Sequence, residues 1–227
     1  MNLQSAKRLN HTQDKMLEKR KRFMECALDL FAERGYAHTP VRAIIEKSGL
    51  GTGTFYKYFS NKEDVLRALL EEFLYQIISS VKNYYAQERD LYTRFIETKR
   101  VTMEVFAQNE KLSEIYCRAA GTSEVIDRCL KDFDDKLIAF STRNIEYGIR
   151  QGIFRELPVA PIAHAILAIE KYLLYKWIIL KAISREEMIE MVVSFHESLA
   201  LGLVKNAEKY TRPKRASASE KAAESPF

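Results

Sequence analysis

Apolar residues recur along this chain at intervals of three and four, the period of helices rather than strands. Met16, Phe23, Ala27, Leu30 and Phe31 share one face of a helix that the pattern starts near Asp14. Gly35 suits the left-handed residue that ends such a helix. Thr39 and Pro40 then read as the N-cap and first residue of a short helix with Val41, Ile44 and Ile45 inward, stopped at Ser48 and Gly49. Ser60-Asn61-Lys62-Glu63 spells a capping box that opens a long helix, whose apolar face includes Val65, Leu66, Leu69, Phe73, Ile77 and Val81. Further helices are expected near 91–107, 110–119, 123–151, 160–182 and 185–206, the last behind a second box, Ser184-Arg185-Glu186-Glu187. No segment alternates as a strand does, so the predicted fold class is all-α.

Composition sharpens this picture. Only 8 glycines and 5 prolines occur in 227 residues, which argues for long helices and against a glycine-rich α/β fold or a turn-rich sandwich. Cys26, Cys117 and Cys129 form no C-x-x-C and cannot all pair within one chain; they read as reduced, intracellular thiols. No charged-then-apolar leader opens the sequence, so a cytoplasmic location is expected. The most apolar stretch, 162–180, is interrupted by His164, Glu170, Lys171 and Lys176 and reads as a buried helix, with no membrane partner expected.

Charge is unevenly spread. Residues 1–62 hold twelve Lys/Arg against six Asp/Glu, residues 63–204 hold eighteen against twenty-two, and residues 205–227 six against three. A basic head on an acidic body points to a polyanion partner for the head alone. Four regions are expected: a flexible arm at 1–13, a head at 14–60, a helical body at 61–206 and a disordered tail at 207–227.

Two short helices joined by a glycine turn, following a longer one, describe a helix-turn-helix. Phe55 and Phe59, at i and i+4, face inward, while Thr52, Thr54, Tyr56, Lys57 and Tyr58 offer hydroxyls and a cation for phosphates and base edges. Lys62 stands near the start of a helix, where a cation opposes the dipole. A phosphate held jointly by that N-terminus and the ammonium would account for it.

The run from Thr39 to Leu66, above all G-T-G-T-F-Y-K-Y-F-S-N-K-E, closely resembles the DNA-binding segment of TetR-family regulators, and the resemblance covers residues 14–66. It implies a homodimeric transcriptional repressor that reads a palindromic double-stranded operator. It places Arg42, Thr52, Gly53, Thr54, Tyr56 and Tyr58 toward DNA and Lys62 on phosphate; Lys57 joins them because it projects from the same short helix. Two positions depart from the family pattern: Ile45 stands where a small alanine is usual, and Ser48 where alanine precedes the turn glycine.

The body should supply the two-fold contact. Ile162, Ile166, Ile169, Leu173, Trp177 and Leu180 make one apolar stripe, and Ala165, Ala168, Tyr172, Tyr175 and Ile179 a second. Helices apolar on two sides are buried on two sides, as in a four-helix dimer interface. The candidate interface residues are Ile169, Leu173, Trp177, Phe195 and Leu199. Met103, Phe106, Tyr116, Arg118, Phe140, Asn144 and Tyr147 are candidates for an effector pocket, apolar with a few polar anchors. The family resemblance implies a small lipophilic or acyl-CoA-like effector. A regulator without a small effector is the alternative reading. An all-helical enzyme is a third, disfavoured because no P-loop, H-E-x-x-H or G-x-S-x-G occurs and the four histidines lack metal-ligand spacing; no catalytic residue, metal or cofactor is expected.

Overall fold

A computed structural model describes residues 3–85 and 90–203, with side chains described from Asp14 onward and not at Tyr85; the tail expected at 207–227 lies outside these. The described residues form α1 (Leu3–Arg34), α2 (Val41–Ser48), α3 (Thr52–Phe55), α4 (Lys62–Tyr85), α5 (Leu91–Gln108), α6 (Glu110–Arg118), α7 (Glu124–Arg150), α8 (Val159–Ile178) and α9 (Arg185–Leu203). The all-α expectation holds, and the body helices fall within a few residues of their expected positions. The first helix starts at Leu3 rather than near Asp14.

The head, α1 to α3, closes around Phe23, Ala27, Leu30, Phe31, Ile44, Phe55 and Phe59, all buried. Met16, placed by its spacing on the inner face, is exposed, because the core it would join begins only near Phe23. In the body, α5 packs on α4 and α9, and α7 on α4 and α8. Phe73 of α4 lies 4.8 Å, ring centre to ring centre, from Phe106 of α5 and stacks on Phe133 of α7, which meets Tyr116 of α6 edge-on.

Helix ends show where local rules hold. The second capping box is reciprocal: Ser184 Oγ accepts from the Glu187 N–H at 3.0 Å, and the Glu187 carboxylate accepts from the Ser184 N–H at 2.7 Å. The first box is shifted by one residue. Asn61 Oδ1 accepts from the Asp64 N–H, the Asp64 carboxylate accepts from the Ser60 N–H, and Glu63 pairs instead with Arg67. Either frame offers a polar cap and an acid three residues on; the helix takes the one starting at Lys62. Thr39 does not cap α2, whose N-cap is Pro40. Its buried hydroxyl lies 2.9 Å from the Gly35 carbonyl oxygen and 3.2 Å from that of Leu30, sealing the end of α1. Gly35 and Gly49 take φ of +79° and +66°, the left-handed conformation both turns demand.

Candidate nucleic-acid interface

The turn of the helix-turn-helix is built by Ser48 and Gly49. Ser48, fully buried, donates its hydroxyl to the Ile45 carbonyl at 2.7 Å and accepts from the Leu50 N–H at 3.1 Å. The serine that departs from the family pattern thus supplies a side-chain bond across the turn that alanine could not make. Ile45 is accommodated half-buried against the core.

Behind the turn, Phe55 meets Phe23 edge-on at 5.2 Å and Phe59 at 5.7 Å. This aromatic anchor fixes which residues of α3 and of the turn that follows it face out. α3 ends at Phe55, so Tyr56, Lys57 and Tyr58 project from that turn and not from the helix, contrary to the expectation for Lys57. Thr52, Gly53, Tyr56 and Lys57 are exposed and Thr54 is half-buried. Tyr58 lies half-buried, 6.4 Å from Phe23, so part of its ring belongs to the core. Arg42 projects from the first turn of α2 and is bonded to Glu46 at 2.7 Å. Gly53 has open space where a Cβ would stand and no left-handed φ, so neither packing nor backbone geometry of this chain requires glycine there.

Lys62 is turned toward the protein. Its ammonium donates to the Tyr36 carbonyl oxygen at 2.7 Å and to that of Ala37 at 3.3 Å, and stands 4.3 Å from the Tyr36 ring centre. Burial lowers its pKa from the usual lysine value and raises that of Tyr36 to about 12. The unfavourable placement near the start of α4 therefore has an internal explanation: the cation ties α4 to the carbonyls of the α1–α2 turn. A second tie runs through Asp29 of α1, which receives Lys47 of α2 at 3.2 Å and Lys111 of α6 at 2.7 Å. These bonds hold the Asp29 carboxyl below its ordinary pKa, Lys111 most strongly.

The residues named for an effector pocket do not converge. Met103, Phe106 and Tyr116 are buried in the core, where the Phe106 and Tyr116 rings pack against each other and against Phe73 and Phe133. Tyr116 donates its hydroxyl to Asp134, which also receives Lys171. Arg118 sits on an open groove of about 410 Å³ between the α1–α2 turn and α6, and Phe140 is half-buried on neither groove. Only Asn144 and Tyr147 share a cavity, about 310 Å³, with Leu91, Arg94, Phe95, Gly148 and Phe154. Glycine at 148 lets the Phe154 ring pack against α7 in that lining: a Cβ there would come within 2.3 Å of the ring.

The interface stripes are also sorted. Leu173 and Trp177 are buried within the chain's own core, and Ile169, Phe195 and Leu199 are half-buried at its surface. The outward face of α8 is the second stripe, Ala165, Ala168, Tyr172 and Tyr175. His164, one of the residues interrupting the apolar stretch, is exposed and bonds to the Ala160 carbonyl. Periodicity missed a buried polar cluster of Lys99, Ser141, Glu170 and His196. The available signal was a Lys, a Glu and a His on otherwise apolar helix faces.

Among the described residues no group of His, Cys, Asp and Glu could hold a metal, and no helix is long and apolar enough to cross a membrane. Cys26, Cys117 and Cys129 are all free thiols.

A three-helix head with an outward recognition segment, carried on a larger helical body, defines a helix-turn-helix regulator of the DNA-binding kind. The chain belongs to the tetR family of bacterial regulatory proteins, whose family model matches residues 23–69. It is similar to a TetR-family transcriptional regulator from Syntrophomonas wolfei str. Goettingen, with 63% identity over 83% of this chain and 97% of that one and a TM-score of 0.80. The fatty acid degradation regulator FadR from Bacillus halodurans shares the fold, with 20% identity, a TM-score of 0.70 and coverage of 81% and 98%. Among curated relatives, the fatty acid metabolism regulator protein of Bacillus subtilis is 37% identical over 30% of this chain and 36% of its own length. The transcriptional repressor KstR2 of Mycobacterium tuberculosis is 39% identical over 25% and 28%. The chain thus spans about a third of the length of these two curated relatives.

Proposed function

We propose that this regulator is a homodimeric repressor that binds a palindromic operator and leaves it when a small lipophilic effector, such as an acyl chain or its CoA thioester, enters the body. The observation that carries the reading is the surface formed by Thr52, Gly53, Tyr56 and Lys57, exposed on a turn that Phe55 anchors from behind. Thr52 and Tyr56 offer hydroxyls, Arg42 and Lys57 cations, and Gly53 a place where a DNA backbone can come close. Lys62 acts by holding the α1–α2 turn, with its remaining N–H available to a phosphate.

One such head reads one half-site, so operator binding needs two, about 34–36 Å apart. The outward α8 stripe, Ala165, Ala168, Tyr172 and Tyr175, flanked by Ile169, Phe195 and Leu199, has the small and aromatic residues of a helix-on-helix contact. The effector reading rests on the names of the fatty-acid regulators among the relatives and on the apolar groove beside Phe95. Displacement there would pass through α4 to Lys62 and through α6 to Asp29, both of which hold the head. Selection of bound fragments from random duplex DNA, followed by anisotropy titrations with and without decanoyl-CoA, tests the scheme. Recovery of an inverted repeat whose complex is weakened by the thioester is the expected result; a bound half-site without symmetry overturns the dimeric reading.

A further inference from the structure

The body core holds a polar cluster in which one buried acceptor, His196 Nε2, has no donor among the described residues. Lys99 of α5 places its ammonium 2.9 Å from Glu170 Oε1 of α8 and 3.3 Å from Ser141 Oγ of α7. Glu170 Oε1 lies 3.5 Å from Nε2 of His196, on α9, and all four residues are buried. His196 Nδ1 lies 2.7 Å from the Val192 carbonyl oxygen, which can only accept, so Nδ1 carries the proton. Burial, helped by the Lys99 charge, pulls the imidazole pKa down to about 4, so near neutral pH the ring has no second proton. Nε2 therefore presents a lone pair to a carboxylate oxygen, and among the described residues it has no hydrogen-bond partner. Two buried acceptors face each other with no proton between them, an arrangement that costs stability unless a donor arrives.

The cluster lies directly behind the groove at the far end of the body. Phe95 lines that groove, and its ring centre is 6.0 Å from that of His196. Lys99 stands one turn along α5 from Phe95, and Ser141 one turn along α7 from Asn144, another lining residue. Phe154 closes the inner wall against Phe95 at 5.2 Å. Phe95 thus borders both the apolar groove and the imidazole of the polar cluster.

We propose that His196, backed by the Lys99–Glu170 pair, forms the polar end of the effector site, its Nε2 receiving an O–H or N–H from a neutral, otherwise apolar ligand that enters past Phe95. At the cluster itself a ligand carboxylate fits worse, since one carboxylate already stands against the one cation there and a second buried anion would be uncompensated; the groove's other cation, Arg94, lines its wall beside Phe95. The proposal rests on the reading of this groove as the effector site and adds the chemical class that the site selects.

Titration calorimetry on the intact protein with decanol and decyl methyl ether tests it, since the two share a chain and differ in the donor. The alcohol is expected to bind about tenfold tighter, as a buried polar site rejects a partner that leaves it unpaired. In His196→Phe, which keeps a ring but removes the acceptor, the two should bind alike. Equal affinities in the unmutated protein overturn the proposal, as they would if a resident water supplied the donor; that result needs no variant to fold. A preference that survives His196→Phe also overturns it. If either probe binds, the effector reading stands whatever the preference; if neither does, the proposal falls, while the effector reading stands or falls with the decanoyl-CoA titration of the operator complex.

Discussion

The Lys62 ammonium donates to the carbonyl oxygen of Tyr36 at 2.7 Å, joining the first residue of α4 to the turn between α1 and α2. A lysine serving only as a phosphate ligand would burden the free protein, because its charge opposes the dipole of α4. Its removal would then leave the DNA-free protein as stable or more so. The tie predicts the reverse. Lys62→Met should cost about 1 kcal/mol, the scale of a partly exposed charged hydrogen bond, and lower the melting temperature by a few degrees. Calorimetry without DNA checks this; an unchanged or raised melting temperature shows that the tie contributes nothing.

Gly53 separates folding from function on the opposite side of the head. Open space surrounds its missing Cβ, and alanine is the better helix former by about 0.5–1 kcal/mol. Gly53→Ala should therefore leave thermal stability equal or slightly raised while weakening operator binding at least tenfold, because the added methyl occupies the approach of the DNA backbone. Paired melting and anisotropy measurements decide it. Undiminished affinity would remove Gly53 from the contact surface.

Exposure along α8 separates the chain's own core from the stripe proposed as an interface. Leu173→Ala deletes a buried side chain and should cost about 2–5 kcal/mol while leaving the dimer intact at concentrations where the chain is folded. Ala168→Glu, on the outward stripe, should do the opposite: little change in helix content, but monomers in sedimentation and loss of the operator footprint, since it buries an unpaired charge between protomers. A dimer unaffected by Ala168→Glu moves the interface elsewhere.

How much of this was legible in the sequence depended on whether local chemistry decided it. The helices, the turn at Ser48 and Gly49 and the Ser184–Glu187 box were legible because the residues that fix them are near neighbours. Phe55 and Phe59 were legible as the inward pair because their spacing leaves no other face. The cap at Ser60 failed because a second frame, Asn61 with Asp64, satisfies the same rule one residue later. Thr39 failed because its hydroxyl partners belong to the end of α1 and the glycine that closes it, residues earlier in the chain but adjacent in the fold. Met103, Phe106 and Tyr116 have the composition of a pocket lining, and only their burial, with Phe106 against Phe73 and Tyr116 against Phe133, places them in the core. Leu173 and Trp177 lie on an apolar stripe that could face either protomer, and periodicity carries no information about which. Lys99, Glu170 and His196 come from three helices, so no spacing links them.

The same cluster makes the body sensitive to acid. His196 is neutral in the folded protein down to about pH 4, held there first by burial and then by the Lys99 charge, with Glu170 opposing. In the unfolded chain an exposed histidine takes up a proton near pH 6.5. Between those values the unfolded chain binds more protons, so stability must fall as the pH falls. The stabilisation is complete above about pH 6.5 and declines toward pH 4, by roughly 3 kcal/mol if the whole interval is expressed. Denaturant unfolding at neutral pH and at mildly acid pH should show this loss in the unmutated protein. His196→Phe removes the titrating group and should flatten that part of the profile, while the slope due to carboxylates such as Asp29, whose pKa is lowered in the folded state, remains at more acid pH. A profile in which His196→Phe keeps the full loss across this window would place its origin in other groups and leave the Lys99–Glu170–His196 cluster without a part in acid unfolding.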